Sequence, residues 1–224
     1  MIHETPQQRR QEDNRDRILA AAATVVSEAG LEGLSIKKVA SEANYTPGAL
    51  YRYYPSKDAL LAALTVQTLG ELAQIMMAAS ERPGLQSITA QAHAYRVYSR
   101  EQPAMYALLA AMNGSPRVWV ADETSARTIG GAMVGALSPL AAAFGRCAHD
   151  GLVDDGDSRE RAVLLWTAVQ GTLQLRKQER VAPEFFDADR LSQTMVGTLL
   201  RGWGADTAKV DAALRQTFES GGQS

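Results

Sequence analysis

The sequence predicts an all-α fold, with a small helical domain at the N-terminus followed by a larger helical domain. Two observations support this fold class. No segment alternates apolar and polar side chains with a period of two, as a half-buried β-strand would. Apolar residues instead recur at helical spacing between Ser, Thr, Gly and Pro residues of the kind that begin and end helices. After Arg82-Pro83-Gly84 the helical segments become longer and more apolar.

The first helix is predicted over 14–29, after a flexible tail at 1–13. Its apolar side chains share one face, and Gly30 stands where a helix C-cap glycine belongs. Ser35 is a natural N-cap for a second helix, which has the sequence IKKVASEA.

Thr46-Pro47 begins a brief third helix, because threonine caps helices and proline fits the first helical position. This helix ends at the Tyr54-Pro55 step, since the residue before a proline avoids helical geometry. Ser56 then caps a long leucine-rich helix. We predict a three-helix domain at 14–55, a larger helical domain at 56–219 and a flexible tail at 220–224. Within the larger domain, helices are expected near 85–101, 102–112, 118–149, 157–179, 187–203 and 206–219.

Composition and charge exclude several classes of protein. The chain of 224 residues has a net charge of −2, so binding to nucleic acid requires a local basic patch. Cys147 is the single cysteine, which excludes an intrachain disulfide, and the three histidines are scattered. We therefore expect no structural zinc site, and no metal or cofactor.

The polar N-terminus lacks the apolar core of a signal peptide, so we expect a cytoplasmic protein. One uncharged stretch, 129–145, is rich in Ala and Gly and contains Ser138-Pro139. A membrane-spanning helix is typically richer in leucine, and we predict a tightly packed helix of a soluble protein there.

The second and third helices have the parts of a helix-turn-helix, in which two short helices are joined by a tight turn. In such a motif the N-terminal end of the second helix meets base edges in the major groove of DNA. Here that end has the sequence TPGA at 46–49, and small side chains let the backbone approach closely. Tyr51, Arg52, Tyr53 and Lys57 follow, with groups suited to phosphate oxygens.

The charge of this segment favours the same interpretation. Between Leu34 and Asp58 four basic residues face two acidic ones, a balance of +2 in a chain that is −2 overall. The alternative is purely structural, because tyrosines beside prolines often cap a helical corner. Leu50 and Tyr54 are expected to point into the core under either interpretation.

The segment LSIKKVASEANYTPGALYRYYPSKDALLAAL resembles the signature of tetracycline-repressor-like (TetR family) transcriptional regulators. The signature joins an aliphatic-Ser/Thr pair, a basic-flanked helix with Val-Ala, a turn, Leu-Tyr-x-Tyr/His-Phe and a Lys-Asp/Glu step into a Leu-rich helix. The resemblance covers about residues 14–64, and the rest matches only in being helical and of suitable length. Tyr54-Pro55 departs from the usual Phe followed by a polar residue.

The resemblance implies a sequence-specific DNA-binding regulator, a repressor released from a palindromic double-stranded operator by a small apolar or aromatic effector. The residues alone leave repression and activation both open. The resemblance implies phosphate contacts from Ser35, Thr46, Tyr51, Tyr53 and Lys57. It assigns base reading to Lys37, Pro47, Gly48 and Arg52.

The resemblance also implies that the larger domain dimerises and binds the effector. Two apolar helices would form the homodimer interface, through Leu165, Val169, Leu173, Met195, Leu199 and Trp203. Aromatic and flexible apolar side chains are candidates for the effector pocket: His93, Tyr95, Tyr98, Met105, Tyr106, Met112, Trp119, Met133 and Trp166. In both sets the alternative is that the side chains pack only in the chain's own core.

Other functional classes have little support in the residues. His149-Asp150, and His93 near Arg96, are the only hints of catalytic groups, and adjacent residues on a helix do not face one another. We predict that the chain is not an enzyme. A carrier or scaffold that has lost DNA binding would show a degraded segment at 35–57, which is not what the sequence has.

Overall fold

The computed structural model describes residues 5–114 and 119–218, and these consist of helices joined by turns and loops. The all-α prediction is confirmed over this part of the chain. The predicted tail at 220–224 lies outside the described residues. The helices are α1 Pro6–Gly33, α2 Ile36–Glu42, α3 Pro47–Tyr51, α4 Lys57–Ala79, α5 Leu85–Glu101, α6 Pro103–Gly114, α7 Glu123–His149, α8 Ser158–Leu173, α9 Arg176–Glu179, α10 Ala188–Gly202 and α11 Thr207–Phe218.

Helix α1 begins earlier than its apolar pattern predicts. The flexible tail expected at 1–13 is helical from Pro6 onward, so this prediction is wrong for residues 6–13. The cause is a capping box, in which the Thr5 hydroxyl accepts from the Gln8 amide at 3.3 Å and the Gln8 side chain accepts from the Thr5 amide at 2.8 Å. The predicted break at Gly30 is present, where φ is +67°.

The chain forms two compact units whose division differs from the predicted domain boundary. The first unit comprises Met1–Thr68 and Gln102–Ala132, and the second comprises Leu69–Glu101 and Met133–Ser224. Helices α4 and α7 therefore each contribute to both units. The sequence predicts the boundary at Pro55, where the helix-turn-helix ends, because a sequence signal marks the end of a helix and not the end of a core.

In the first unit α2 packs against α1 and α3, and α1 also packs against α6. The apolar face of α1 is buried as its spacing predicts, and Val39 of α2 and Leu50 of α3 are fully buried. Leucines at the start of α4 complete this core. The buried side chains include Ile18, Leu19, Val25, Val26, Leu34, Leu60, Leu61 and Leu64.

The second unit contains α5, α8, α10 and α11 with parts of α4 and α7. The helix predicted at 118–149 corresponds to α7, which continues through Pro139. One predicted helix differs from the structure: the segment at 157–179 divides into α8 and the short α9. The buried side chains of this unit include Ile88, Tyr95, Phe144, Leu165 and Val196.

Helices α4 and α7 are long and apolar enough to cross a membrane by length and composition alone. One half and one third of their most apolar windows, respectively, are buried inside the protein. Because core helices of soluble proteins satisfy the same criterion, this finding is weak evidence for a membrane span.

Candidate nucleic-acid interface

A tight turn joins α2 to α3. The amide of Tyr45 donates to the carbonyl of Ala40 at 2.8 Å, and Asn44 lies between them with φ +60°. Asparagine tolerates this left-handed conformation better than most residues with a side chain. The turn brings two short helices together in the arrangement that the sequence predicts.

The start of α3 is exposed. Thr46 caps the helix, its hydroxyl accepting from the Ala49 amide at 3.2 Å, and Pro47 occupies the first helical position. A Cβ added at Gly48 would meet nothing within 4 Å. The packing of the chain therefore gives no reason for a glycine at this position, whereas a close external partner would.

The predicted contact residues lie around this exposed helix start. Leu50 anchors α3 in the core with no exposed surface, while Tyr51 is 50% exposed. Lys37 and Arg52 are exposed, and Ser35 and Lys57 are half-buried. The Tyr51 hydroxyl, the Lys37 amine and the Arg52 guanidinium are therefore exposed on α2, on α3 and at the residue that follows α3.

The capping hydroxyls keep a donor for an external acceptor. Ser35 accepts from the Lys38 amide at 3.3 Å, and Thr46 accepts from Ala49, so each oxygen uses a lone pair for its cap. A hydroxyl has one proton as well as two lone pairs, and the proton remains available to a phosphate oxygen.

Asn14 connects two of the tyrosines in this region, and the sequence-based reasoning missed it. Its Nδ2 donates to the Tyr53 hydroxyl at 3.1 Å, and its Oδ1 accepts from the Tyr45 hydroxyl at 2.8 Å. The two phenol rings meet edge to face with centroids 6.0 Å apart. Because these partners lie 39 and 31 residues from Asn14, no local sequence signal announces the contact.

The fourth tyrosine of the segment serves the core. Tyr54 is buried, as predicted, and burial raises the pKa of its hydroxyl. The Arg15 guanidinium lies 5.8 Å from the Tyr54 ring centroid, and Arg17 lies at the same distance from Tyr45. The first helix therefore helps to orient tyrosines around the helix-turn-helix.

The candidate effector residues divide between the two units. Met105, Tyr106, Met112 and Trp119 belong to the first unit, and the other five belong to the second. Within the second unit, Tyr95 and Trp166 line a small cavity of about 10 Å³. His93 lines a separate cavity of about 270 Å³, and Met133 lines an apolar groove of about 500 Å³.

Two buried side chains with polar groups, Gln91 and Tyr95, line the Tyr95–Trp166 cavity. The Tyr95 hydroxyl hydrogen-bonds to Oε1 of Gln170. Among the described residues, Gln170 Nε2 and Gln91 Oε1 have no hydrogen-bond partner. Tyr98 is also buried, which raises the pKa of its hydroxyl well above the usual range.

Three of the predicted dimer residues do not reach the surface. Leu165, Val169 and Leu173 are at most 2% exposed, so the prediction is corrected: they fill the chain's own core and leave no area for a partner. Met195 is 37% exposed, while Leu199 and Trp203 are half-buried. The exposed apolar side chains of α8 are the neighbouring Val163 and Leu164.

Comparison with known proteins finds two family models in the chain. The model for bacterial regulatory proteins of the tetR family matches residues 18–64, and that for the tetracyclin repressor-like C-terminal domain matches residues 88–199. The second match alone covers half of the chain.

Individual relatives can be aligned with the sequence of this chain over shorter stretches than the family models. The HTH-type transcriptional repressor KstR of Mycolicibacterium smegmatis is 37% identical over 75 residues, which are 34% of this chain and 35% of KstR. The chain thus aligns with about a third of the length of this curated relative. The matching stretch is confined to a minority of each protein.

Solved structures share the fold along most of the chain. SmeT, the repressor of the Stenotrophomonas maltophilia multidrug efflux pump SmeDEF, has a TM-score of 0.60 and 22% identity, covering 84% of this chain and 89% of SmeT. Bacillus subtilis FadR in complex with stearoyl-CoA has a TM-score of 0.65 and 16% identity, covering 84% of this chain and 98% of FadR. At sequence identities of 22% and 16%, the structural similarity shows a shared fold and nothing further.

Proposed function

The chain belongs to the tetR family of bacterial regulatory proteins, and from this membership we propose that it represses transcription by binding a DNA operator in the cytoplasm. The family consists of regulators and not of enzymes. The operator would be a double-stranded palindrome, read by two copies of α3 in successive major grooves, about 34–36 Å apart.

The observation that carries this proposal is the exposed start of α3. A Cβ at Gly48 would meet nothing within 4 Å, the Thr46 hydroxyl caps the same helix, and Tyr51 is half exposed although its neighbour Leu50 is fully buried. A surface of this kind lets a backbone approach base edges while hydroxyls and cations hold phosphates.

A homodimer would present the two recognition helices at the required spacing. We assign its interface to the exposed faces of α8 and α10, in place of the three buried leucine and valine residues. Val163 and Leu164 are 48% and 46% exposed, and Met195 is 37% exposed. Small residues on the same faces allow close approach of helices, namely Thr167, Gly171, Thr194, Thr198 and Gly202.

An apolar or aromatic effector would bind in the second unit, beside Tyr95 and Trp166. The support is the pair of unsatisfied amide groups on Gln91 and Gln170. Leaving such a group unpaired costs about 1–3 kcal/mol, which a ligand with one hydrogen-bonding group would recover. The stearoyl chain carried by the FadR neighbour is an example of the apolar class.

Because the cavity at Tyr95 measures only about 10 Å³, the effector must select a more open state of the unit. Helix α4 begins directly after the helix-turn-helix and contributes Met76 to the cavity wall, so it is the element expected to carry the coupling. Such coupling is reciprocal: DNA weakens effector binding by the factor by which effector weakens DNA binding.

The direct test is selection of DNA from a random duplex library, followed by anisotropy titration of the selected sequence. We expect a palindromic site, a strong dependence of affinity on salt, and a protein that is dimeric by light scattering. Binding only at the level of random DNA, with no enriched site, would contradict the proposal. In that case a carrier without an operator becomes the better description.

A further inference from the structure

Helix α1 projects beyond the hydrophobic core of the first unit. The twelve residues from Pro6 to Arg17 extend the helix by about 18 Å before Ile18, the first fully buried side chain. Almost all of these residues are exposed, and Asn14 alone is half-buried. The family match begins only at residue 18. Core packing therefore does not explain why the helix continues.

One face of this extension forms a pocket with the end of α3. Gln7, Arg10, Gln11 and Asn14 stand at spacings of three and four residues, which places them on the same side of α1. They enclose a cavity of about 340 Å³ together with Arg52 and Tyr53, the two residues that follow α3. Every side chain that lines the cavity is polar.

The charge of the pocket is positive and uncompensated. Arg10 and Arg52 line it, no carboxylate lines it, and neither guanidinium forms an ion pair or hydrogen bond within the described residues. Arg96 and Arg100, by contrast, both form ion pairs with Asp189. A pair of arginines held without a carboxylate is an arrangement that favours an external anion.

The hydroxyl of Tyr53 adds a donor in a defined orientation. Its oxygen accepts from Asn14 Nδ2 at 3.1 Å, so its proton is free to point away from Asn14. Asn14 is itself oriented by the Tyr45 hydroxyl, which donates to Oδ1 at 2.8 Å. Asn14 is thus a positioning residue for a donor at the wall of the pocket.

We propose that this pocket binds a phosphate of the operator backbone, with Arg10 and Arg52 supplying the charge, Tyr53 a hydroxyl donor, and Gln7 and Gln11 amide donors. The inference rests on the proposed function and extends it, since the DNA-binding surface then includes the first three turns of α1. It also reassigns Arg52 from reading bases to holding the backbone.

The test compares Arg10→Ala with Arg9→Ala, which removes the same charge from the same turn but does not line the pocket. Both are titrated against the selected operator at several salt concentrations. We expect Arg10→Ala to lower affinity on the order of tenfold and to reduce the slope of log K against log salt by about 0.9 for each protomer bound. Arg9→Ala is expected to have a clearly smaller effect, and Arg10→Lys to restore part of the loss.

The outcomes separate this inference from the proposed function. If the unmodified protein selects no operator, the proposed function fails. If it binds an operator and the two alanine variants weaken binding equally, the pocket assignment alone is overturned.

A free anion is the remaining alternative occupant. Thermal unfolding in inorganic phosphate, compared with chloride at equal ionic strength, tests it. If phosphate stabilises the unmodified protein in a manner that requires Arg10, while operator affinity does not require Arg10, the pocket binds a small anion and the DNA assignment is wrong.

Discussion

The Asn14 side chain donates a 3.1 Å hydrogen bond to the hydroxyl of Tyr53, joining the exposed part of α1 to the second residue after α3. The same amide accepts from Tyr45 in the turn between α2 and α3. One side chain therefore connects the helix extension, the turn and the end of α3. Variants at these positions separate stability from DNA binding.

Replacing Asn14 by Ala removes both hydrogen bonds at once. We expect a loss of about 1–2 kcal/mol in the free energy of unfolding, because each such bond contributes about 1 kcal/mol. Operator affinity is expected to fall as well, since Tyr53 loses its orientation. Urea unfolding and anisotropy measure the two effects. Tyr45→Phe removes only the hydrogen bond from Tyr45 to Asn14 and keeps the one from Asn14 to Tyr53. If Tyr45→Phe lost as much operator affinity as Asn14→Ala, the role given to Tyr53 would be contradicted.

Gly48→Ala tests whether an external partner requires the glycine. The added methyl group meets nothing within 4 Å in the chain, and alanine favours helix over glycine by about 0.5–1 kcal/mol. We expect unchanged or slightly higher thermal stability together with operator affinity reduced by about tenfold or more, as one misplaced base contact costs about 1–3 kcal/mol.

The matched control for Gly48→Ala is Gly70→Ala in α4, where an added Cβ also meets nothing within 4 Å. It should raise stability similarly and leave operator affinity unchanged. Full operator affinity in the Gly48 variant would remove the main support for the proposed interface.

Lys57→Ala is expected to weaken binding to all DNA sequences by a similar factor. Because an ammonium on a phosphate acts without reading bases, its loss should reduce the salt slope by about one for each protomer bound. Gel shifts at two salt concentrations are sufficient. Lys209→Ala in α11, an exposed lysine far along the chain, serves as the charge-matched control. Undiminished affinity of the Lys57 variant at both concentrations would exclude this contact.

Leu164 and Leu165 are adjacent on α8 and face different surroundings. Leu165 has no exposed surface, so Leu165→Ala should cost about 2–5 kcal/mol in unfolding free energy. Leu164 is 46% exposed, and Leu164→Ala should leave the fold intact while weakening the dimer. Sedimentation or light scattering across a concentration series checks the second effect. A Leu164 variant that dimerises as tightly as the parent would place the interface elsewhere.

The stability of the protein should depend on His93 in mildly acidic solution. Burial, and next the positive charge of Arg96, lower the pKa of His93 to about 4. The unfolded chain therefore binds a proton from about pH 6.5 downward while the folded chain does not. Between these values the free energy of unfolding falls as the pH falls, by up to about 1.4 kcal/mol per pH unit.

Urea unfolding at several pH values measures this dependence, and His93→Gln is the control that removes it. Arg96, Arg100 and Asp189 also act on His93, and they stay in place in that variant. An identical pH dependence in the parent and the variant would show that His93 does not titrate as its surroundings indicate.

The local patterns of the sequence determined the helix-turn-helix, because its signals are short in range. Thr46 and Pro47 cap the third helix, the stripe from Ile18 to Val26 is apolar, and Tyr54 is buried, all as predicted. The candidate contact residues Lys37, Tyr51 and Arg52 are exposed, and their contacts with DNA stay a prediction.

Tertiary structure decided the features that depend on which helix faces which. Leu164 and Leu165 are the same residue type at adjacent positions, and only the packing of α8 exposes the first and buries the second. The sequence predicts a tail at residues 6–13 because they carry no apolar stripe, yet a capping box begins a helix there. Asn14 then hydrogen-bonds this part of the helix to two tyrosines that lie more than thirty residues away in sequence. A hydrogen bond between side chains so far apart in sequence produces no periodic pattern of residues. For the same reason only the three-dimensional fold shows that Arg10 and Arg52 line one pocket.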